Sequence, residues 1–89
     1  MRLDKFLKVS RIIKRRTLAK EVSEQGRILV NGKEAKASTT VKVGDELTIR
    51  FGQRVLTARI DQIQETTRKD EAAEMYTIIK EERVNQDSF

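Results

Sequence analysis

Apolar side chains at the start of the chain recur with the period of an α-helix. Leu3, Phe6 and Leu7 stand at positions i, i+3 and i+4, which predicts a short amphipathic helix over roughly residues 3–9. An isoleucine pair at 12–13 follows between basic residues. We expect this pair to anchor the loop after the helix to the hydrophobic core.

A second amphipathic stretch begins after this loop. Thr17 is expected to be the N-cap, because its hydroxyl can accept a hydrogen bond from a backbone N–H of the first turn. Gly26 is expected to end the helix, because glycine adopts the left-handed conformation at low cost. The buried face of this helix is predicted to contain Leu18, Ala19 and Val22.

Further along, apolar and polar residues alternate with the period of a strand. Residues 28–30 lead into Asn31-Gly32, a pair typical of a tight hairpin turn, and we assign Asn31 to turn chemistry alone. Gly44-Asp45 predicts a second turn, followed by two alternating strands that end at residue 60. This order of elements predicts an α+β fold. Two short N-terminal helices pack on a small, mostly antiparallel sheet, and a short C-terminal helix follows.

The charge balance changes near residue 60. Residues 1–60 hold 15 Lys and Arg against 6 Asp and Glu, whereas residues 61–89 hold 4 against 8. We therefore divide the chain into a basic domain, 1–60, and an acidic C-terminal extension, 61–89. In the extension, Asp70 could cap a helix whose apolar stripe would pack against the body or a protein partner. The stripe consists of Ala72, Met75, Tyr76 and Ile79.

The missing residue types limit the chemistry. The chain contains neither Cys nor His, so it has no thiol nucleophile, no Ser-His or Cys-His pair and no zinc-thiolate site. We expect a protein that is not an enzyme and needs no metal or cofactor, although chemistry based on Lys or a carboxylate stays possible. The start, Met-Arg-Leu-Asp, has no apolar run like that of a signal peptide. We expect a cytoplasmic protein with no membrane contact.

Positive charge is concentrated where the second helix begins. Cationic side chains, first-turn N–H groups and the positive end of a helix dipole all favour a polyanion, and our hypothesis is RNA binding. The alternative is a solvated surface. Arg16 is the first candidate for direct contact, since arginine is unfavourable at a helix N-terminus and its planar fork suits phosphate. Arg2 is the second. The remaining phosphate-contact candidates are Lys5, Arg11, Lys14, Arg15, Thr17 and Lys20, with Arg27, Lys33 and Lys36 as weaker ones.

Asp4 has two possible roles. It could pair with Arg2 or another basic residue and hold the cations in place, which we favour, or it could accept a hydrogen bond from RNA. Aromatic residues are scarce, so base stacking is not expected to dominate. We expect recognition of structured RNA through its shape and backbone charge.

Several of these features occur together at a characteristic spacing. They are Arg2-Leu3-Asp4, Arg16-Thr17 with Ala19, Gly26, Val30-Asn31-Gly32 and Gly44-Asp45. Over about residues 1–50 this pattern resembles the alpha-L RNA-binding motif, the domain named for small-subunit ribosomal protein S-four. Among stand-alone members, the chain is most similar to bacterial ribosome-associated quality control factors of the RqcP type and to the fifteen-kilodalton heat-shock proteins. One departure is Arg15, where the family usually has Ser.

The resemblance implies a function and partners. It implies binding to a dissociated large ribosomal subunit that carries peptidyl-tRNA, with contacts to rRNA and P-site tRNA. It also implies support of C-terminal alanine tailing by an RqcH-type factor. Alternatives are subunit recycling of the heat-shock type and a protein-interaction adaptor that uses the C-terminal helix. Nothing in the sequence demands a dimer, and we expect a monomer.

Overall fold

The computed structural model describes residues 1–65 and 68–83. The structured elements have short, well-defined bounds. The helices are α1 (Leu3–Val9), α2 (Arg16–Glu24) and the single turn α3 (Lys69–Ala72), which continues as a 3-10 turn over Ala73–Met75. The strands are β1 (Ile28–Val30), β2 (Lys33–Glu34), β3 (Glu46–Phe51), β4 (Arg54–Ile60) and β5 (Tyr76–Arg83). Across 1–65 and 68–83, no helix has the length and apolar content that a bilayer span requires.

The five strands form one antiparallel sheet in the order β2-β1-β3-β4-β5. Its inner face follows from the alternation of side chains along each strand. Ile28 pairs with Ile49, Leu47 pairs with Ala58, and all four are completely buried. The first two helices pack on this face through Leu3, Phe6, Leu7, Ala19 and Val22. The predicted α+β class with N-terminal helices on an antiparallel sheet is confirmed.

The second helix differs from its prediction at two positions. It begins at Arg16, one residue before Thr17, and its N-cap Arg15 makes no side-chain capping bond. The prediction of Thr17 as the N-cap is therefore wrong. Leu18 is 48% exposed, so its assignment to the buried face is also wrong. The buried positions are Ala19, Val22 and Ser23, which recur at i, i+3 and i+4 on one side of the helix.

Asn31 does more than shape its turn. It has φ of 53° and Gly32 has φ of 81°, as a two-residue hairpin turn with two left-handed positions requires. Its amide also donates to Asp45 Oδ1 at 3.0 Å, and its Oδ1 accepts from the Glu46 N–H at 3.0 Å. Asp45 is buried and accepts a further bond from the Lys42 N–H. The assignment of Asn31 to turn chemistry alone is wrong, because its side chain ties the two predicted turns together.

The C-terminal stripe is only partly helical. Ala72 and Met75 are buried as predicted, but the chain turns extended at Tyr76 and continues as β5 alongside β4. The prediction that the helix reaches Ile79 is wrong, because the run Tyr76–Ile79 is rich in β-branched and aromatic residues that fit a pleated sheet. Ile78 and Ile79 are 44% and 49% exposed. The sheet extends across residue 60, and the division at that position stays a prediction.

Candidate nucleic-acid interface

The start of the chain is tied down by backbone hydrogen bonds to a loop that precedes β3. The Leu3 N–H donates to the Thr39 carbonyl at 2.8 Å, and the Val41 N–H donates to the Met1 carbonyl at 2.8 Å. These bonds form where Arg2 faces Thr40 in an isolated antiparallel bridge. Arg2 is therefore part of a fixed segment and not a fraying terminal charge.

Asp4 is the centre of the site. Its side chain is 4% exposed, and it contacts two arginines from different parts of the chain. The Arg2 Nε donates to Asp4 Oδ1 at 3.2 Å, and the Arg16 Nε lies 3.5 Å from Oδ2. The Lys5 backbone N–H also donates to Oδ1, at 2.8 Å. A buried carboxylate needs such partners, because an unpaired buried charge is strongly unfavourable.

These contacts bear out the structural role favoured for Asp4. They also supply the structural reason for Arg16 that the sequence did not show. Arginine at a helix N-terminus opposes the helix dipole, but here the carboxylate of α1 lies beside the first turn of α2 and offsets that effect. One buried acid therefore joins the N-terminal ends of the two helices.

Both arginines retain donors for a ligand. In each ion pair the closest guanidinium atom is Nε, and the Arg2 and Arg16 side chains are 50% and 48% exposed. A guanidinium also carries N–H groups at both Nη atoms, and these suit the paired oxygens of a phosphate. Because Asp4 limits the rotation of both side chains, less conformational entropy is lost when they bind.

The same residues line an open depression of about 440 Å³. Arg2, Asp4 and Arg16 form part of its wall, and Thr17 and Lys20 complete it from the first turns of α2. The depression therefore combines cationic side chains, a hydroxyl and a helix N-terminus, all of which favour an anion. It brings together four residues that the sequence predicted to contact RNA, together with Asp4, which was predicted to hold cations in place or to contact RNA.

The other predicted RNA-binding residues do not line this depression. Arg11, Lys14 and Arg15 are exposed in the segment between α1 and α2, where Arg11 has a left-handed φ of 63°. Arg27, Lys33 and Lys36 are exposed near the β1–β2 hairpin and do not line the depression. The RNA-binding role of each of these residues stays a prediction.

Lys5 has a partner that the sequence did not indicate. Its ammonium donates to a carboxylate oxygen of Glu65, which comes from the segment after β4. The hydrogen bond and the charge of Lys5 lower the pKa of Glu65 below its ordinary value of 4.5. The two residues are sixty positions apart, and no local pattern could have paired them. The acidic extension therefore contacts the basic domain at one of its predicted RNA-binding residues.

A family model, curated proteins and a solved structure all match this chain over most or more than half of its length. The family model described as S4 domain matches residues 1–47. The RQC P-site tRNA stabilizing factor of Bacillus subtilis is 65% identical over 86 residues, covering 97% of this chain and 100% of that protein. Heat shock protein 15 of Escherichia coli is 39% identical over 77 residues, covering 85% of this chain and 58% of that protein. The trimeric structure of Vibrio cholerae Heat Shock Protein 15 superimposes with a TM-score of 0.82 at 37% identity, covering 88% of this chain and 80% of the other.

Proposed function

The chain belongs to the S4 domain family and, within it, to the RQC P-site tRNA stabilizing factors, and we propose that it is a non-enzymatic RNA-binding factor of ribosome-associated quality control. It binds the dissociated large ribosomal subunit that carries peptidyl-tRNA and contacts both rRNA and the P-site tRNA. It supports C-terminal alanine tailing of stalled chains by an RqcH-type partner. It acts in the cytoplasm as a monomer.

One observation carries this proposal. Two half-exposed arginines, the N-cap of α1 and the first residue of α2, are held by one buried carboxylate at the rim of an open, cationic depression. The arrangement suits the phosphate backbone of a folded RNA, where contacts position the protein without reading the base sequence. The near full-length match to the Bacillus subtilis RQC P-site tRNA stabilizing factor supports the choice of P-site tRNA as a ligand.

The depression contributes by orientation and charge. Asp4 restricts the rotamers of Arg2 and Arg16, so both side chains lose less conformational entropy when they bind a phosphate. Lys20 adds a more flexible charge on the same wall. The bound factor would hold the RNA segments in one geometry while a partner performs the chemistry. Such a role needs no catalytic group in this chain.

Subunit recycling of the heat-shock type is the second candidate, favoured by the likeness to Escherichia coli Heat shock protein 15. The chain spans 58% of that relative but the whole of the Bacillus subtilis factor, so we place the quality-control role first. An adaptor role has less support. Ala72 and Met75 of its proposed docking stripe are buried within the fold.

The test is a pull-down from cells that accumulate stalled chains. We compare the wild type with Arg2→Ala and Arg16→Ala, and use Arg54→Ala as the control. Arg54 is exposed, is paired with Glu81 and does not line the depression, and its replacement removes the same charge. We expect wild type and control to bring large subunits with peptidyl-tRNA, and the other two variants to bring few.

Two results would contradict the proposal. If the wild type brings no large-subunit RNA, the quality-control role is wrong. If Arg2→Ala and Arg16→Ala bind as well as Arg54→Ala, the depression is not the RNA site. Sedimentation of the purified chain at several concentrations tests the monomer, and a mass that rises with concentration would show self-association.

A further inference from the structure

The sheet face that the helices leave uncovered carries a pair of arginines outside the depression. The Arg50 N–H donates to the Arg27 carbonyl at 3.0 Å, so the two residues stand opposite each other on neighbouring segments. Arg27 immediately precedes Ile28, and Arg50 immediately follows Ile49. These two isoleucines pair with each other and are completely buried. Because successive side chains of a strand point to opposite faces, Arg27 and Arg50 lie together on the outer face.

This pairing is unfavourable for the folded chain alone. Like charges that stand directly opposite on a sheet destabilise it. Among residues 1–65 and 68–83, neither Arg27 nor Arg50 forms an ion pair. By contrast, Arg59 on the same face is paired with Asp61 at 3.0 Å. The fold therefore neutralises one outer-face arginine and leaves these two charges side by side.

Within the described ranges, the acidic side chains in this part of the sheet form no ion pair with either arginine. Glu82 lies two strands away from Arg50 in register and forms an ion pair with Lys80. The carboxylate of Glu34 lies against the glycine that precedes Arg27, but within the described ranges it forms no ion pair. Within residues 1–65 and 68–83 both guanidinium groups lack an anionic partner, and a phosphate would supply one.

We propose that Arg27 and Arg50 form a second phosphate-contact site for structured RNA, separate from the depression around Asp4. A phosphate between two guanidinium groups would accept hydrogen bonds from both and offset their repulsion. The proposal rests on the proposed function in taking RNA as the ligand, and adds the place on the chain where a second RNA segment binds.

The two sites are separated by the second helix. Arg16 is the first residue of α2 and Arg27 follows its last residue, Glu24. A helix of nine residues spans about 13 Å, so one phosphate cannot bridge the two sites. Arg2 and Arg16 belong to the helical layer, whereas Arg50 lies on the outer face of the sheet. One chain could therefore lie between two RNA segments.

The experiment compares two double variants that lose the same charge. Arg27→Gln with Arg50→Gln removes the proposed site, and Arg54→Gln with Arg59→Gln removes two exposed arginines that are already ion-paired. Binding to a short RNA duplex and to unfractionated tRNA is measured against salt concentration. We expect the first variant to lower the slope of log affinity against log salt by about 0.9, the value for the loss of one phosphate contact. The control should change it much less.

Two further measurements separate binding from stability. Thermal unfolding should show the Arg27→Gln, Arg50→Gln variant to be at least as stable as the wild type, because a like-charge pair has been removed. In a bridging assay, wild type should join an immobilised duplex to a labelled one. Loss of either site, through this variant or through Arg2→Gln with Arg16→Gln, should abolish bridging while single-duplex binding persists.

The outcomes distinguish the two proposals. If wild type binds neither duplex nor tRNA, the proposed function fails and this site fails with it. If wild type binds and Arg2→Gln with Arg16→Gln weakens binding, but the Arg27→Gln, Arg50→Gln variant matches its control in salt slope and bridging, only the second site is wrong.

Discussion

Among residues 1–65 and 68–83, two acidic side chains form ion pairs with the predicted RNA-binding surface, and they do so in opposite ways. Asp4 is buried, and it holds Arg2, the N-cap of α1, and Arg16, the first residue of α2. The side chain of Glu65 is 76% exposed and forms an ion pair with Lys5. The buried carboxylate orients the cations around it, whereas the exposed one neutralises a single charge in solvent. An acid within a basic surface can therefore support anion binding or oppose it, depending on its burial.

The largest effect should follow from Asp4→Asn. This change raises the net charge by one, but it leaves Arg2 and Arg16 without their shared counter-ion and removes the constraint on their rotamers. We expect RNA affinity to fall about tenfold, equivalent to about 1.4 kcal/mol, and the free energy of unfolding to fall by about 1–3 kcal/mol. Urea denaturation and titration with a labelled RNA duplex measure the two quantities.

Asp70→Asn is the matched control, since Asp70 is exposed in the first turn of α3 and its replacement changes the net charge equally. It should leave RNA affinity unchanged or slightly higher. A surface that acted through net charge alone would bind RNA more tightly after either change. Tighter binding by Asp4→Asn would therefore overturn the positioning role of Asp4.

A second buried acid extends the comparison to a site without cations. Asp45 is 5% exposed and accepts a hydrogen bond from the Asn31 side-chain amide. This carboxylate therefore joins the Asn31-Gly32 turn to the Gly44-Asp45 turn. We expect Asn31→Gly to lower the free energy of unfolding by about 1–2 kcal/mol, because it keeps the left-handed conformation and removes only the side-chain bonds. Asn31→Ala should cost more, since alanine also resists a positive φ. Thermal unfolding checks both.

The RNA affinity of Asn31→Gly should stay close to that of the wild type, measured under conditions where both are folded. If Asn31→Gly unfolds at the same temperature as the wild type, the side-chain bridge to Asp45 contributes nothing to the stability of the fold. A loss of RNA affinity in the folded variant would instead place the hairpin in the interface.

These buried polar contacts mark the limit of what the sequence could predict. The bounds of α1, the Asn31-Gly32 turn and the alternating β3 strand follow from local patterns, and the structure has them. The pairing of Asp4 with Arg16 and of Asn31 with Asp45 joins residues from separate elements, and no local period encodes such contacts. The sequence could name the residues of the depression but not the carboxylate geometry that assembles them.

The two wrong element assignments have a related cause. Leu18 satisfies the helical period by hydrophobicity, but the helix packs through Ala19, Val22 and Ser23 instead, and the Ser23 hydroxyl donates to the Ala19 carbonyl at 2.7 Å. The apolar spacing from Ala72 onwards fits a helix as well as a strand. Pairing with β4, a contact distant in sequence, favours the strand from Tyr76 onwards. In both places tertiary packing outweighed local preference.

The smallest effect is expected from Glu65→Gln, which tests the contrast between the buried and the exposed acid most directly. It changes the net charge by the same amount as Asp4→Asn, yet we expect the opposite result for RNA. Lys5 would lose its partner and become available to a phosphate, so affinity should rise slightly and the salt slope should increase by up to about 0.9. Urea denaturation at neutral pH should show no measurable change, since exposed ion pairs contribute little.

The pH dependence of this contact gives an independent check on the wild type. The pKa of Glu65 is lowered below its ordinary value of 4.5 by the hydrogen bond from Lys5, so the contact supports the fold above that value and is lost as the pH falls through the lowered pKa. Carboxyl NMR should therefore find Glu65 titrating below its ordinary value in the wild type and nearer to it in Lys5→Gln. If Glu65→Gln instead weakens RNA binding, Glu65 positions Lys5 as Asp4 positions its arginines, and the contrast between buried and exposed acids does not hold.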